Sequence, residues 1–447
     1  MALSRAGPIA EAVVADIAAG RLRPGDRLPP QREFARQHHI AGSTAARVYR
    51  DLARRGLVVG EVGRGTFVRV AAPPPEQPLP EPGGARIDLE LNFPVLPEQA
   101  ALLGDGLGRL LQLRTLDRVL RPVPISGTTA SRAATAMTLA RTGWSPDPDR
   151  ILFAGNGRQA IAAAVAALVA PGESLGVEAL TYPVVKAIAT RLGVHLVPIA
   201  MDAEGMRVDA LRSAHRGTRL RAIYLQPTLH NPLGVTMPTD RRRGLAAVLS
   251  ELGLYAIEDG VYGFLHDTMQ PLAAIAPDRT ILVDSLSKRV APGLTLGFLV
   301  PPAGLTGEVA AAVKSGSWAA SHFAIAAGAL WMAEGTVTII EKAKRRDAAL
   351  RQAIAAERLA GFDLHADPRA YHCWWVLPQP WRAETFVAAA GRRGIAVTPA
   401  AAFAVGSAHA PNAVRLALSS PSVDVLSSAL DLLAALAREE PDNVNVD

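Results

Sequence analysis

The clearest shortage in this 447-residue sequence is cysteine, of which there is one, Cys373. A single thiol forms no intrachain disulfide, and the apolar neighbours in YHCWWVLP favour a buried structural thiol over a nucleophile. Long hydrophobic runs are also missing, because the longest, AIAAAVAALVAPG from Ala160, falls short of the roughly 20 residues that a membrane helix needs. The N-terminus meets Glu11 and Asp16 before a secretory core could form. The sequence therefore predicts a protein of the reducing cytoplasm, without a membrane span or an export signal.

Lysine is absent from the first 72 residues, which hold twelve arginines and six acidic residues. This segment carries a net charge of +6, the net charge of the whole chain, and the remaining 35 basic and 35 acidic residues balance. Such concentration predicts a phosphate-backbone partner for the first sixth of the chain. The chain is long enough for two or three domains, and with 49% hydrophobic but only 5% aromatic residues it can bury a large aliphatic core.

Three helices and a hairpin are predicted within residues 1–71. The stretch PIAEAVVADIAA, from Pro8, has apolar residues at helical spacing. A second short helix is expected at about 31–38, and a third where Ser43 caps STAARVYRDLARRG and Gly56 ends it. The runs LVVGEV and TFVRV flank GRG as in a hairpin. This order is typical of a winged helix-turn-helix, whose third helix enters the major groove of DNA.

The stretches LPPQREFA, STAARVYRDLARRGLV and GRGTFV resemble the winged-helix domain of GntR-type bacterial regulators along its full length. The resemblance implies contacts with double-stranded operator DNA by Arg32, Ser43, Thr44, Arg47, Arg64 and Gly65. Gly42 stands where many relatives carry a base-reading arginine, so the resemblance does not extend to the operator sequence. The alternative is a solvated, arginine-rich helical module that binds protein.

A proline-rich linker follows. The stretch AAPPPEQPLPEPGGA, residues 71–85, has few hydrophobic side chains and cannot join a core. In a polyproline II conformation it would span about 45 Å as a semi-rigid spacer. We therefore expect a DNA-binding domain at 1–71, a linker at 72–86 and a large domain at 87–440.

Beyond Arg86, short aliphatic runs alternate with helical stretches, as in RILFAG followed by RQAIAAAVAALV. This alternation predicts βαβ units and a mainly parallel sheet with helices on both faces, which is an α/β domain. Ligands bind such sheets at the carboxyl ends of the strands. The residues at these ends are Gly157, Arg158, Tyr182, Asn231, Asp259, Tyr262, Ser285, Ser287 and Lys288. Each of them taken alone has a structural explanation, since Asp259 could cap a turn and Lys288 could be a surface charge.

The ordered set resembles the fold-type-I family of pyridoxal-phosphate enzymes, the aminotransferase fold, over residues 87–440. HNPLG, DGVYGF and SLSK are similar to the family's Asn-Pro-x-Gly, Asp-x-x-Tyr and Ser-x-Ser-Lys, and AVRLAL to the strand that bears its carboxylate-binding arginine, here Arg415. A winged helix joined by a short linker to this fold looks like the MocR branch of the GntR regulators.

The resemblance implies a role for each residue around pyridoxal 5'-phosphate. Lys288 would form the Schiff base, because a neutral amine is favoured where burial disfavours the ammonium. Asp259 would pair with the pyridinium nitrogen, and Asn231 and Tyr262 would bond the phenolic oxygen. Tyr182 would stack on the ring. The phosphate would lie at a helix N-terminus with Gly157, Arg158, Ser285 and Ser287.

The sequence departs from the family at the phosphate. An arginine typically follows the lysine by seven or eight residues, where this chain has Thr295 and Leu296. Losing one charge-assisted contact costs on the order of 1.5 to 3 kcal/mol. Arg158 is the candidate to compensate, while the side chain of Arg289 is expected to point elsewhere.

Three functions are compatible with these residues. The first is a DNA-binding transcriptional regulator in which pyridoxal phosphate at Lys288 senses an amine, an amino acid or the vitamer itself. The resemblance implies a homodimer with the site at the subunit interface. The second is an aminotransferase fused to a DNA-binding domain, and the third is a regulator whose large domain is a cofactor-free dimerisation scaffold. The arginine-rich first segment favours a regulator over an enzyme.

Overall fold

The computed structural model describes residues 9–10, 12–13, 16, 22, 26–54, 58–61, 65–68, 85–141, 143–406 and 410–440. The chain divides into two compact units, Met1–Pro78 and Leu79–Asp447, with the division inside the predicted linker. Three predicted features lie outside the described residues: most of the linker, the wing-tip residue Arg64, and the helix end at Gly56.

The first unit has the elements of a winged helix. The described residues of the segment that follows Pro8 are helical. The hairpin strands β2 and β3 pair antiparallel, and β1 adds to β3 to complete a three-stranded sheet. Phe34, Val48 and Leu52 lie in the core beneath it. The elements with assigned bounds are β1 Arg27–Leu28, α1 Gln31–Gln37, α2 Gly42–Arg54, β2 Val58–Glu61 and β3 Gly65–Val68.

The predicted cap at Ser43 is wrong. Helix α2 begins at Gly42, and the amides of Thr44 and Ala45 donate to the carbonyl of Ala41 at 2.9 and 3.1 Å. Because the first helical carbonyl is that of Ala41, Ser43 lies inside the first turn, beyond the capping position.

A seven-stranded sheet forms the centre of the second unit, in the order β5-β13-β12-β11-β10-β6-β7. The pairs β12–β11, β11–β10, β10–β6 and β6–β7 are parallel, and only β13 runs against its two neighbours. The prediction of a mainly parallel sheet is confirmed. Its strands are β5 Leu152–Ala154, β6 Ser174–Glu178, β7 His195–Ile199, β10 Leu220–Leu225, β11 Tyr255–Asp259, β12 Thr280–Ser285 and β13 Gly297–Val300.

Both faces of this sheet are covered. In β10, Ala222 and Tyr224 join one apolar cluster, whereas the alternate residues Ile223 and Leu225 join another. Since successive side chains of a strand point to opposite faces, the two clusters lie on either side of the sheet. The helices of the unit are α3 Gln99–Leu110, α4 Leu113–Val119, α5 Thr129–Leu139, α6 Gly157–Leu168, α7 Pro183–Leu192, α8 Val208–Gly217, α9 Thr239–Leu252, α10 Leu272–Ile275, α11 Leu286–Arg289, α12 Thr306–Ser315, α13 His322–Ala333, α14 Thr336–Arg358, α15 Ala383–Arg392 and α16 Val423–Arg438.

A smaller four-stranded sheet, in the order β14-β15-β18-β17, lies towards the C-terminus and contains Arg415. The apolar cluster that packs on this sheet contains Cys373, which is fully buried, as predicted. Burial raises the pKa of this thiol to about 12. The first strand of the unit, β4, pairs in parallel with β16. The remaining strands are β4 Ile87–Asp88, β8 Met201–Asp202, β9 Gly205–Met206, β14 Asp363–Ala366, β15 His372–Val376, β16 Ile395–Ala396, β17 Thr398–Pro399 and β18 Ala413–Ala417.

Within the described ranges, we find no individual helix with both the length and the apolar character to cross a membrane. Taken together, α13 and α14 meet those criteria, but the pair is bent by 73° between the two helices.

Gly297 allows strand β13 to pass close to the start of helix α6. A Cβ atom at Gly297 would lie 2.4 Å from the carbonyl oxygen of Asn156, which is backbone and cannot rotate away. We expect Gly297→Ala to destabilise the second unit by about 1–3 kcal/mol. Urea unfolding followed by tryptophan fluorescence measures this, because all six tryptophans lie in this unit.

Gly304→Ala is the matched control, since a Cβ atom there meets nothing within 4 Å. Its unfolding midpoint should stay within about 0.5 kcal/mol of the wild type. Equal effects of the two substitutions would contradict the close approach at Gly297.

Candidate functional site

The residues predicted at strand ends meet at one edge of the large sheet. Strands β5, β10, β11 and β12 run in the same direction, so their carboxyl ends share an edge. Gly157 follows β5, Asn231 follows β10, Asp259 ends β11, and Ser285 ends β12. The fold thus brings together groups that are more than a hundred residues apart in sequence.

Lys288 lies on the short helix α11, directly after Ser285. Its Nζ donates to the backbone carbonyl of Asn92 and lies 4.1 Å from the centre of the Phe93 ring. Burial lowers the pKa of Lys288 well below its usual value, and the nearby cations Arg158 and Arg415 lower it further. Asp259 acts in the opposite direction but does not compensate. The site therefore favours a neutral amine, which is the nucleophilic form.

Asp259 is a buried carboxylate supported by neutral donors. Its Oδ2 accepts hydrogen bonds from the hydroxyl of Tyr224 at 2.7 Å and from Nε2 of Gln226 at 2.8 Å, and its Oδ1 accepts one from the amide of Val261 at 3.2 Å. Burial raises the pKa of Asp259, and these three hydrogen bonds oppose that rise. Such a carboxylate is suited to pair with a protonated ring nitrogen, because none of these three donors carries a positive charge.

Asn231 and Tyr262 lie beside this carboxylate. The side chain of Gln226 links two of the three, since its Oε1 accepts from the amide of Asn231 at 3.1 Å while its Nε2 reaches Asp259. The hydroxyl of Tyr262 accepts from Nδ2 of Asn92 at 3.0 Å, and burial raises the pKa of Tyr262. Both polar groups are thus held in fixed positions by neighbouring side chains.

An anion-binding corner lies at the start of helix α6. The side chain of Asn156 caps this helix by accepting from the amide of Gln159 at 2.9 Å. A Cβ atom at Gly157 would lie 3.0 Å from Oγ of Ser285, so only glycine permits this approach without displacement. Free amides at a helix N-terminus together with hydroxyl groups are a favourable environment for a phosphate.

Thr295, the departure from the family pattern, faces this corner. Its hydroxyl is hydrogen-bonded to the hydroxyl of Ser287. Leu296 instead lies in an apolar cluster. A neutral pair of hydroxyls therefore occupies the region where the family resemblance leads us to expect an arginine.

The two arginines near this corner differ in their contacts. Arg289 is fully buried and pairs with Asp284 and Glu341, so it points elsewhere, as predicted. Burial alone would lower the pKa of Arg289, but the two carboxylates outweigh it and raise the pKa. Arg158 is exposed, and its Nε donates to the hydroxyl of Tyr182 at 3.3 Å. Only Arg158 of this pair is available to a ligand.

Arg415 is a buried guanidinium that makes no ion pair with a carboxylate among the described residues. Its Nη1 donates to Oδ1 of Asn231 at 3.4 Å, and its Nη2 donates to Oγ1 of Thr398 at 2.9 Å and to the carbonyl of Glu90. Its Nε is buried without a hydrogen-bond partner. Because a buried charge requires a counter-ion, the arrangement is suited to a ligand carboxylate.

The predicted DNA-contacting residues that the structure describes lie on helices α1 and α2 and at the start of β3. Arg32 is exposed in the first turn of α1. Ser43, Thr44 and Arg47 lie in the first two turns of α2, with Arg47 exposed. Gly65 is the first residue of β3.

Several residues of the site were not predicted from the sequence. Asn92 and Phe93 precede the first motif recognised in the second unit. Tyr224 lies in β10 and Gln226 directly follows it, in a run whose visible signal was hydrophobicity. Lys344, which donates to the carbonyls of Lys288 and Val290 at 2.8 and 2.6 Å, lies in the middle of a long helix. A polar residue inside the run RAIYLQP was the only available signal for Gln226.

Comparison with known proteins agrees with this arrangement. Residues 109–433 match the model of the family Aminotransferase class I and II, and residues 6–68 match that of the bacterial regulatory proteins of the gntR family. The fold and site define a DNA-binding unit joined to an aminotransferase-like unit. The chain belongs to the aminotransferase class I and II family and, with its GntR-type winged helix, has the MocR-type architecture of GntR transcriptional regulators.

Two relatives of the chain are named as HTH-type transcriptional regulators. Over 94% of its length the chain is 29% identical to the uncharacterized HTH-type transcriptional regulator YdeF of Bacillus subtilis (strain 168), of which it covers 92%. Over 64% of its length it is 27% identical to the HTH-type pyridoxine biosynthesis transcriptional regulator PdxR of Corynebacterium glutamicum, covering 63% of that protein.

Among solved structures, an archaeal alanine:glyoxylate aminotransferase superimposes with a TM-score of 0.72 at 23% identity, over 79% of this chain and 90% of that one. This likeness establishes the aminotransferase fold of the second unit and nothing finer.

Proposed function

We propose that this protein is a transcriptional regulator that binds pyridoxal 5'-phosphate at Lys288 and responds to an amine, an amino acid or the vitamer itself. The observation that carries the proposal is the Lys288 amine, whose pKa is lowered by burial at the carboxyl edge of the sheet, beside the carboxylate of Asp259. The name of the relative PdxR, a pyridoxine biosynthesis regulator, supports a link to vitamin B6.

The residues present fit this cofactor. Asp259 is a buried carboxylate without a cationic hydrogen-bond partner among the described residues, as a protonated ring nitrogen requires. The N-terminus of α6, the close approach of Gly157 to Ser285, and Ser287 suit a phosphate group. When bound, the cofactor would supply an aldehyde carbon that accepts an amine, either that of Lys288 or that of an incoming effector.

The protein's own residues would select and hold the effector. Arg415, with its unpartnered buried Nε, would bind a carboxylate. Asn231 and Tyr262 would orient the ring by hydrogen bonds to its phenolic oxygen, and Tyr182 would cover one face. Burial lowers the pKa of Lys288, which favours the uncharged amine that can accept a proton from the effector.

A homodimer is part of the proposal. Large apolar side chains are exposed on and next to helices α3, α4, α5 and α13, which pack on one another. Exposed apolar surface of this kind favours association between subunits. The residues are Leu102, Leu111, Leu120, Met137 and Phe323.

Two alternative functions share the same residues. An aminotransferase would release a 2-oxoacid from an amino donor at saturating cofactor, whereas a sensor would retain the bound amine. A cofactor-free scaffold would remain colourless after incubation with pyridoxal phosphate. The concentration of arginines in residues 1–72 favours a regulator over an enzyme.

The visible absorption spectrum tests the proposal. The purified protein mixed with pyridoxal phosphate should show a Schiff-base band that Lys288→Ala abolishes, because the nearby Lys344 is held by the carbonyls of Lys288 and Val290. Lys314→Ala, on α12, is the matched control and should leave the band intact. Absence of the band from the wild type would exclude both cofactor-dependent functions, and rapid 2-oxoacid release would favour the aminotransferase.

The charge at the phosphate corner gives a second prediction. If Arg158 compensates for the missing family arginine, Arg158→Ala should weaken binding of pyridoxal phosphate by up to about fivefold in a spectral titration. Arg219→Ala, another exposed arginine at the amino end of β10, should not change the affinity. Unchanged affinity in Arg158→Ala would remove Arg158 from the phosphate site.

The winged helix gives a third prediction. Arg47→Ala should weaken binding to a mixed-sequence DNA duplex and make the slope of log affinity against log salt concentration shallower by about one, since one phosphate contact is lost. Arg118→Ala, exposed on α4 of the second unit, removes the same charge and should leave the slope unchanged. Identical slopes for the two variants would place Arg47 away from the DNA backbone.

A further inference from the structure

The residues that follow the linker run directly through the candidate site. We call residues 89–93, LELNF, the strap. It continues strand β4, and the amide of Leu89 donates to the carbonyl of Ala396 at 3.0 Å, while the amide of Ala417 donates to the carbonyl of Leu89 at 2.7 Å. The strap is therefore hydrogen-bonded to the sheet at its first residue, Leu89, and its remaining residues, 90–93, extend into the site.

The carbonyl of Glu90 binds the guanidinium of Arg415. Nη2 of Arg415 has two N–H groups, of which one points to this carbonyl and the other to Thr398 Oγ1. A carboxylate can grip a guanidinium end-on through Nη1 and Nη2 or side-on through Nε and Nη2, so both forks use Nη2. A ligand carboxylate bound in either fork must therefore take an N–H group that Glu90 or Thr398 now holds.

The carbonyl of Asn92 binds the amine of Lys288. It accepts from Nζ of Lys288, and the neighbouring ring of Phe93 lies 4.1 Å from the same atom. Condensation of the Lys288 amine with an aldehyde forms a C=N bond, and both N–H hydrogens leave with the aldehyde oxygen as water. An uncharged C=N nitrogen has no N–H left to donate to the Asn92 carbonyl.

Taking the proposed function as given, we propose that ligand occupation of Arg415 and Lys288 releases the strap at Glu90 and Asn92, while its hydrogen bonds at Leu89 remain. The two backbone carbonyls hold the positions that ligand groups need. The strap is thus an autoinhibitory contact at the effector site, in the segment that follows the linker.

Local electrostatics favour release at Glu90. Burial raises the pKa of the Glu90 carboxyl, the neighbouring carboxylate of Asp88 raises it further, and Arg415 opposes both. A ligand carboxylate at Arg415 would cancel that favourable contribution and repel Glu90. Beyond Glu90 the strap is retained by side chains, since Asn92 bonds the Tyr262 hydroxyl and Ser419 Oγ.

Hydrogen exchange of the strap tests the inference in the full-length protein without any ligand. The amides of Glu90 and Leu91 donate to Oδ1 of Asp88 at 2.8 and 2.9 Å, so a strap peptide reports local opening. Arg415→Met and Lys288→Met each remove a side-chain donor to a strap carbonyl. We expect exchange in the strap to become roughly tenfold or more faster in each variant.

Arg150→Met is the matched control, because Arg150 likewise donates to two backbone carbonyls, those of Pro301 and Pro277, far along the chain from the strap. It should leave strap exchange unchanged. Equal acceleration in Arg150→Met, or none in Arg415→Met and Lys288→Met, would overturn the inference. If Arg415→Met does not fold by circular dichroism, Lys288→Met and the ligand experiment decide.

The ligand experiment uses pyridoxal phosphate, alone and with propionate as a carboxylate without an amine, and reads the visible band and strap exchange on the same sample. Faster exchange with pyridoxal phosphate, and faster still with propionate, supports the strap. A visible band with unchanged exchange overturns the strap while the proposed function stands. With no band the proposed function fails, and the substitution experiment alone then decides whether the two side-chain donors hold the strap.

Discussion

The desolvated amine of Lys288 is the constraint on which the second unit depends. A lysine with several positive neighbours is tolerable inside a protein only if its own charge is weakened and the neighbouring charges are fixed. Arg289, the residue next to it, is neutralised by Asp284 and Glu341. Lys344 is turned towards backbone carbonyls at the end of helix α11, and burial lowers its pKa to about 7. These contacts fix the short helix that presents the amine.

Much of this arrangement could be predicted from the sequence, because each strand end contributes a polar residue that follows an apolar run directly. Asp259, Ser285 and Lys288 are visible for that reason. Asn92 and Gln226 are not, since their roles depend on which distant elements the sheet brings beside them. The prediction of a cap at Ser43 failed for a local reason. The first helical carbonyl belongs to Ala41, and so small a shift of the helix start places Ser43 inside the helix instead of at the capping position.

The departure at Thr295 also has a structural meaning that the sequence could not supply. The missing arginine by itself suggests only weaker binding of a phosphate. In the structure, the Thr295 hydroxyl is hydrogen-bonded to Ser287 and Leu296 lies in an apolar cluster, so neutral groups occupy both positions. Arg158 remains near the corner, yet it is exposed, and solvent screens the interaction of an exposed cation with its partner.

The pairing of β4 with β16 has a consequence for the order in which the two units are made. Ile87 pairs with Ile395, about 300 residues later in the chain, so the first strand of the second unit has no partner until most of that unit has been synthesised. The winged helix is closed by contacts within its own short segment and leaves the ribosome first. While the remainder is being translated, the nascent chain carries a folded winged helix joined to an incomplete second unit.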